Sequence, residues 1–277
     1  MCDQGKIDYS TPTFTDVYAE WESHVLAVVD ATCLSYFGAL NGKTLVDFGC
    51  GACDTIKIYN AQKASFCLGI DVNESMIKSG GVAITDEKGY SLQKQMEKNE
   101  PITCIVKDCF KPFDREYGQF DFASCFYSVQ YCANEEDLQG LLHNAFKSLK
   151  PGGKLFIGQP PFCAKNLKEQ AVIADTVGCL QPLQSDHDGQ DPFYGTTHAL
   201  RPASTKTGRP FTRENLFTFK DYFWSKEKVM NNLELAGFVD VKLLPPSFPD
   251  DASPFEIEQI SSMEEPFVLV GAKKPEL

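Results

Sequence analysis

Three carboxylates and a pair of glycines carry the first chemical signal in this chain. Asp47, Gly49 and Gly51 fall in VDFGCGACD (46–54), where strand-forming residues run into a glycine turn. Asp71 closes the apolar run of GIDVNESMI, and Asp108 stands in VKDCF (106–110). Glycine at the end of a strand lets the backbone come close to a ligand, and an acid about 20 residues further on suits the hydroxyls of a ribose. Such a pattern serves a nucleotide cofactor. A dinucleotide fingerprint would place a small residue at position 54, where this chain has Asp54. Both Asp47 and Asp71 also have a structural alternative, capping a following helix by accepting its free N–H groups.

A second group lies in FYSVQY (126–131), where Tyr127, Gln130 and Tyr131 offer hydroxyl, amide and aromatic faces beside Phe126. Of the four histidines, His24 and His143 fall in helical patterns, whereas His187 and His198 lie in SDHDGQDPFYGTTHALRP (185–202) with Tyr194. Either of the latter two suits a base or substrate ligand, against the alternative of a solvated loop histidine. The acids Asp186, Asp188 and Asp191 around His187 would make a mouth attractive to a cationic amine, or simply a solvated loop. Eleven cysteines, an odd number set mostly in apolar runs, read as small buried hydrophobes in a reducing compartment. Cys50 and Cys53 form a C-x-x-C with no second pair at zinc spacing, so no metal site is expected.

The elements that would position these residues are legible from periodicity. Apolar residues at helical spacing from Phe14 to Leu40 predict a helix before the first strand. Strand-like runs at 44–48, 66–71, 102–107, 120–126 and 154–159 alternate with helical patterns at 54–62, 73–97 and 135–149, the second broken near Gly80-Gly81 and Gly89. Nearly continuous apolar strands alternating with helices predict a doubly wound, Rossmann-like α/β sheet, mostly parallel and covered on both faces. After Pro160 the pattern dissolves until about Asp221, then a helix at 225–238 and strands at 238–244 and 266–274 follow. We therefore expect one domain over 1–277, with 160–221 inserted as a substrate-binding lid.

With 43% apolar residues in 277, the chain can bury a real core. No apolar run reaches the roughly 18 residues of a membrane span, and the N-terminus lacks a secretory pattern, so the expectation is a cytoplasmic protein without membrane attachment. A net charge of −12 disfavours a nucleic-acid partner. It leaves the oligomeric state open.

Together D-x-G-x-G at 47–51, Asp71, Asp108, FDFASCFYSVQY (120–131) and LKPGGKLFIG (149–158) resemble the class I S-adenosylmethionine-dependent methyltransferases. The resemblance covers most of 14–159 and 225–274. It implies seven strands with an antiparallel last strand, an extra N-terminal helix, and S-adenosylmethionine as cofactor with S-adenosylhomocysteine as product. It also implies that Gly49 and Gly51 approach the amino-acid part of the cofactor, and that Asp71 binds ribose with Val72 beside it. Asp108 and Cys109 would serve the adenine, Met76 either the adenine or the core, and Tyr18 either the cofactor carboxylate or helix packing. Asp47 would contact the cofactor and in part hold the turn, and Phe126 would pack near the cofactor. Tyr127, Gln130 and His198 are the candidates for catalysis, with Tyr131, His187 and Tyr194 for substrate. The third glycine of the family's D-x-G-x-G-x-G is Cys53 here.

In-line methyl transfer needs the acceptor held about 3 Å from the methyl in a dry site, rather than a protein nucleophile. The expected reaction is methylation of a small molecule, nitrogen slightly preferred to oxygen. The run from FDFASC onward is also similar to messenger-RNA cap guanine-N7 methyltransferases, from which Gln130 departs where that group has histidine. A non-catalytic binding partner with the same fold is the remaining alternative.

Overall fold

The computed structural model describes residues 24–98, 100–159, 180–182, 193–199, 217–254, 257–258, 261 and 267–276. Helix α1 (His24–Phe37) precedes β1 (Thr44–Phe48), then α2 (Asp54–Ala61), β2 (Phe66–Asp71), α3 (Glu74–Ser79), α4 (Leu92–Glu97), β3 (Ile102–Val106), β4 (Phe120–Phe126), α5 (Glu135–Ser148) and β5 (Leu149–Gln159). Three short strands follow, β6 (Leu180–Pro182), β7 (Phe193–Ala199) and β8 (Phe217–Phe223), and then α6 (Lys226–Leu235), β9 (Val239–Leu243) and β10 (Val268–Lys273).

The main sheet has seven strands in the order β3-β2-β1-β4-β5-β10-β9. Pairing is parallel from β3 to β5, and β10 is antiparallel to both β5 and β9. This is the expected doubly wound sheet. The strand order reverses at β1, because β2 and β4 flank it on opposite sides, and ligands of such sheets bind outside the carboxyl ends at that switch point.

Every residue of β1 is buried, with Val46 and Phe48 packed on one face and Leu45 on the other. Leu138, Leu141 and Leu142 of α5 and Val229 and Leu233 of α6 cover the first face. Val29, Cys33 and Phe37 of α1 and Ile56 and Tyr59 of α2 cover the second. Each large apolar side chain so buried stabilises the fold by about 1.5–3 kcal/mol.

Local chemistry fixes the helix ends near the site. The expected break in 73–97 occurs at Gly80-Gly81, and a Cβ on Gly80 would lie 2.1 Å from the Ala52 carbonyl oxygen. Only glycine lets α3 sit against the turn after β1. Strand β5 starts earlier than periodicity indicates, at Leu149 rather than 154, because Leu149 already pairs with Phe120 and a register shift between Phe120 and Phe122 absorbs the proline-glycine step.

Within the insertion, β6, β7 and β8 form an antiparallel three-stranded sheet of their own. Strand β8 continues to Phe223, beyond the expected boundary at Asp221, because Phe223 still pairs with Phe193. Trp224 follows at 1% exposure. Its indole N–H donates to the Cys132 carbonyl at 3.0 Å, and its own carbonyl accepts from Gln159 Nε2 at 3.0 Å. These bonds fasten the root of the insertion to the carboxyl ends of β4 and β5.

Candidate functional site

The glycine turn leaves β1 at the switch point. The amides of Gly49 and Cys50 both donate to the Ile70 carbonyl, at 2.7 and 3.1 Å, so the turn folds toward the end of β2. Gly49 and Gly51 have φ of +75° and +50°, and Cys53 holds +66°. That left-handed value at Cys53 explains why glycine is usual at this position in the resembling family, since a Cβ there costs about 1–2 kcal/mol. A Cβ on Gly49 would lie 2.0 Å from Ser128 Oγ. That oxygen is 3.0 Å from the carbonyls of both Phe48 and Phe126, so the turns after β1 and β4 are locked together.

Asp71 joins turn and acid. Its Oδ2 accepts from Gly51 N–H and its Oδ1 from Asn73 N–H, each at 2.8 Å. Each oxygen retains a lone pair for a further donor. Helix α3 is capped instead by Asn73, whose Oδ1 accepts from Ser75 and Met76 amides at 3.0 and 3.2 Å, so the capping alternative for Asp71 falls. Burial raises the Asp71 pKa against the pull of these amides. Next to it, Val72 is 67% exposed, an apolar side chain presented at the carboxyl edge. Met76 is buried, and its Cε would stand 3.7 Å from a Cβ on Gly51.

Asp47 points elsewhere. It is 2% exposed and accepts from Ser124 Oγ of β4 at 2.6 Å, so it braces the two central strands and caps no helix. Burial pushes its pKa from 3.8 to about 8, with the Ser124 bond opposing. Folded Asp47 thus holds a proton that the unfolded chain releases, and stability falls as pH rises from about 4 to about 8, by at most ~1.4 kcal/mol per unit. Asp30 on α1, raised to about 7 by burial and then by Asp54, acts in the same direction. Urea midpoints should be higher at pH 5.5 than at pH 8, and Asp47→Asn should flatten that difference.

Asp108 Oδ1 accepts from the Phe110 amide at 2.9 Å, and buried Cys109 offers its carbonyl to Asn144 Nδ2 at 2.9 Å. Both lie just past the end of β3.

After β4, Phe126 is partly buried, with its ring 5.3 Å from that of Phe156. Tyr127 has φ +50°, a rare conformation for a residue with a side chain, and its amide donates to the Gly158 carbonyl at 2.8 Å. Val129–Tyr131 form a 3-10 turn beside β8. Within it Gln130 is 3% exposed, and its Oε1 has no hydrogen-bond partner among the described residues. Tyr131 is half-buried. The structure therefore brings Gly49, Gly51, Asp71, Val72, Met76, Asp108, Cys109, Phe126, Tyr127, Gln130 and Tyr131 to the carboxyl side of the sheet.

Tyr194 and His198 lie on β7, in register with Tyr222 and Thr218 of β8. His143 is exposed on α5. Tyr18 and His187 lie outside the described residues.

Sequence reasoning missed the roles of four residues. Ser124, Ser128 and Trp224 act through pairings that only the fold creates, although both serines stand in the quoted FASCFYS run. The C-x-x-C pair also gains a third member: Cys104 Sγ lies 3.4 Å from Cys53 Sγ, and Cys50 Sγ lies 4.0 Å from it. Hydrogen bonds from Cys104 and then Cys50 lower the pKa of the Cys53 thiol.

Residues 46–157 match the family described as Methyltransferase domain. Over 126 residues the chain is 28% identical to an mRNA cap guanine-N(7) methyltransferase 1 of Oryza sativa, a match covering 43% of this chain and 33% of that one. Over 176 residues it is 25% identical to a ubiquinone biosynthesis O-methyltransferase of Coxiella burnetii, covering 60% and 65%. The match thus spans less than two thirds of either relative. The crystal structure of an S-adenosylmethionine-dependent methyltransferase from Mesorhizobium loti superposes with a TM-score of 0.54 over 90% of this chain and all of that one, at 17% identity.

Strand order and superposition give the chain the fold of S-adenosylmethionine-dependent methyltransferases, and its β1-to-β5 half is similar to their methyltransferase domain. The matched domain runs from β1 to β5.

Proposed function

We propose that this protein transfers the methyl group of S-adenosylmethionine to a small-molecule acceptor, nitrogen in preference to oxygen. The observation that carries the reading is the bond from Gly51 N–H to Asp71, which fixes an acid with spare lone pairs beside the glycine turn and the exposed Val72. S-adenosylmethionine, when bound, supplies an electrophilic methyl on a sulfonium with a neutral leaving group. Every other task falls to the chain. Asp71 would hold the ribose, Gly49 and Gly51 would admit the amino-acid portion, and Val72, Met76, Asp108 and Cys109 would surround the base. Asp47 would brace the turn from beneath, Phe126 would wall the site, and Tyr18 would close over the carboxylate.

On the acceptor side, Tyr127 and Gln130 would orient the nucleophile. Gln130 Oε1, without a partner among the described residues, favours an acceptor that carries an N–H donor, because a neutral amine keeps such a proton, whereas an oxygen nucleophile generally has to lose its own to a base. Tyr131, from the turn after β4, and His187 and Tyr194, from 160–221 acting as a lid within a single domain, would contact the rest of the substrate, and His198 would take up a released proton. A net charge of −12 supports a small acceptor over capped RNA.

A radiolabelled-methyl screen of amine, phenol, carboxylate and cap-analogue pools tests the reading. Transfer to an amine pool supports it, and transfer only to the cap analogue overturns the small-molecule assignment. With the acceptor known, Gln130→Ala should lower kcat/KM about 10- to 100-fold while leaving S-adenosylhomocysteine affinity within about 2-fold. Equal losses in both would move Gln130 to the cofactor side.

A further inference from the structure

Beneath the glycine turn lie three thiols that methyl transfer does not use. Cys50, Cys53 and Cys104 are 7%, 0% and 0% exposed, and their sulfurs all fall within 4.8 Å of one another. Space for them is built in. Gly69, on the central strand β2 between the turn and β3, would place a Cβ 2.7 Å from both Cys104 Sγ and Cys50 Sγ. Glycine inside a strand weakens it, and commonly marks a close approach of other atoms. The turn also accepts strain at the same spot, because Cys53 keeps a side chain at φ +66°. Two departures from ordinary backbone preference thus converge on one cluster of sulfur.

We propose that Cys50, Cys53 and Cys104 form a three-thiolate site that binds one cuprous ion. With metal–sulfur bonds of about 2.3 Å, a planar three-coordinate ion sets its sulfurs about 4.0 Å apart. The separations of 3.4 and 4.0 Å, with the third pair inside 4.8 Å, bracket that figure, so small side-chain rotations complete the site. Ligand number selects the ion. Structural zinc takes four ligands and iron–sulfur clusters four cysteines, and among the described residues no histidine or carboxylate joins these three sulfurs. Soft thiolates favour Cu(I). On binding, each coordinated S–H gives its proton to solvent and no electron changes hands, so copper has to arrive already reduced.

The test is an anaerobic titration of the purified full-length chain with Cu(I), in competition with a chromogenic Cu(I) chelator, and X-ray absorption of the one-equivalent complex. One tightly held ion with three sulfur neighbours is the expected result. Cys53→Ser and Cys104→Ser should each weaken it at least ~100-fold, since loss of mere outer-shell partners already costs 10- to 100-fold. Cys67→Ser, which removes a buried cysteine of β2 outside the cluster, should change affinity less than about 2-fold. Wild-type affinity in Cys104→Ser would overturn the proposal. So would two sulfur neighbours in the absorption spectrum, or Zn(II) bound in preference to Cu(I). The absorption result on the wild-type chain decides the matter even where a variant fails to fold.

Discussion

Asp71→Ala is expected to weaken binding of S-adenosylhomocysteine by about 100-fold or more, because hydrogen bonds to a charged group contribute about 1.5–3 kcal/mol each. Two losses combine in this variant. The carboxylate would no longer accept from a ribose, and the Gly51 and Asn73 amides, each now 2.8 Å from one of its oxygens, would lose the acceptor that shapes the turn. Asp71→Asn should not rescue fully, since its NH2 has to face one of those two N–H donors. Calorimetric titration, with a urea midpoint for each variant, separates lost affinity from lost fold. Unchanged affinity in a folded Asp71→Ala protein would remove the ribose assignment.

The second large effect belongs to Gly49→Ala, which should cost about 3 kcal/mol or more of stability, the sum of a left-handed Cβ and overpacking. At φ +75°, the added carbon would stand 2.0 Å from Ser128 Oγ and 2.9 Å from Ser128 Cβ. Rotating the hydroxyl away relieves only the first contact and breaks its bonds to Phe48 and Phe126, so backbone has to move. Gly51→Ala is the control. It shares a positive φ, +50°, but its Cβ would meet only Met76 Cε at 3.7 Å, so its cost should stay near the conformational ~1–2 kcal/mol. Thermal melts of the two variants side by side check this ordering. Equal midpoints would mean that the two turns are not locked through Ser128.

Much of this architecture was legible because its signals are local. Uninterrupted apolar runs such as TLVDF and FCLGID have one stable fate, a strand buried on both faces, and both strands have the bounds that periodicity predicts. Glycines at 80 and 81 announce the break after α3. The carboxyl-edge placement of Asp71 followed equally from its position at the end of a strand.

What escaped depends on register between distant segments. Nothing near Asp47 reveals that Ser124, 77 residues away, will bond to it, or that Asp47 will be buried and hold its proton. Asp71 read as a possible helix cap until Asn73 proved to be the cap of α3. Cys104 joins the C-x-x-C only because β3 pairs with β2 and Gly69 leaves room between them. The strained Tyr127 and the buried Gln130 oxygen, which has no partner among the described residues, are likewise products of tertiary context, at the place where the sequence marked aromatic and amide groups without ranking them.

Isothermal calorimetry of the wild-type chain with S-adenosylhomocysteine tests the central claim most directly. One-to-one binding, lost in Asp71→Ala and retained in Gln130→Ala, is the result expected of a methyltransferase cofactor site. Absence of binding at millimolar ligand, in a chain whose urea transition is cooperative, would contradict it and leave the glycine turn serving the fold alone.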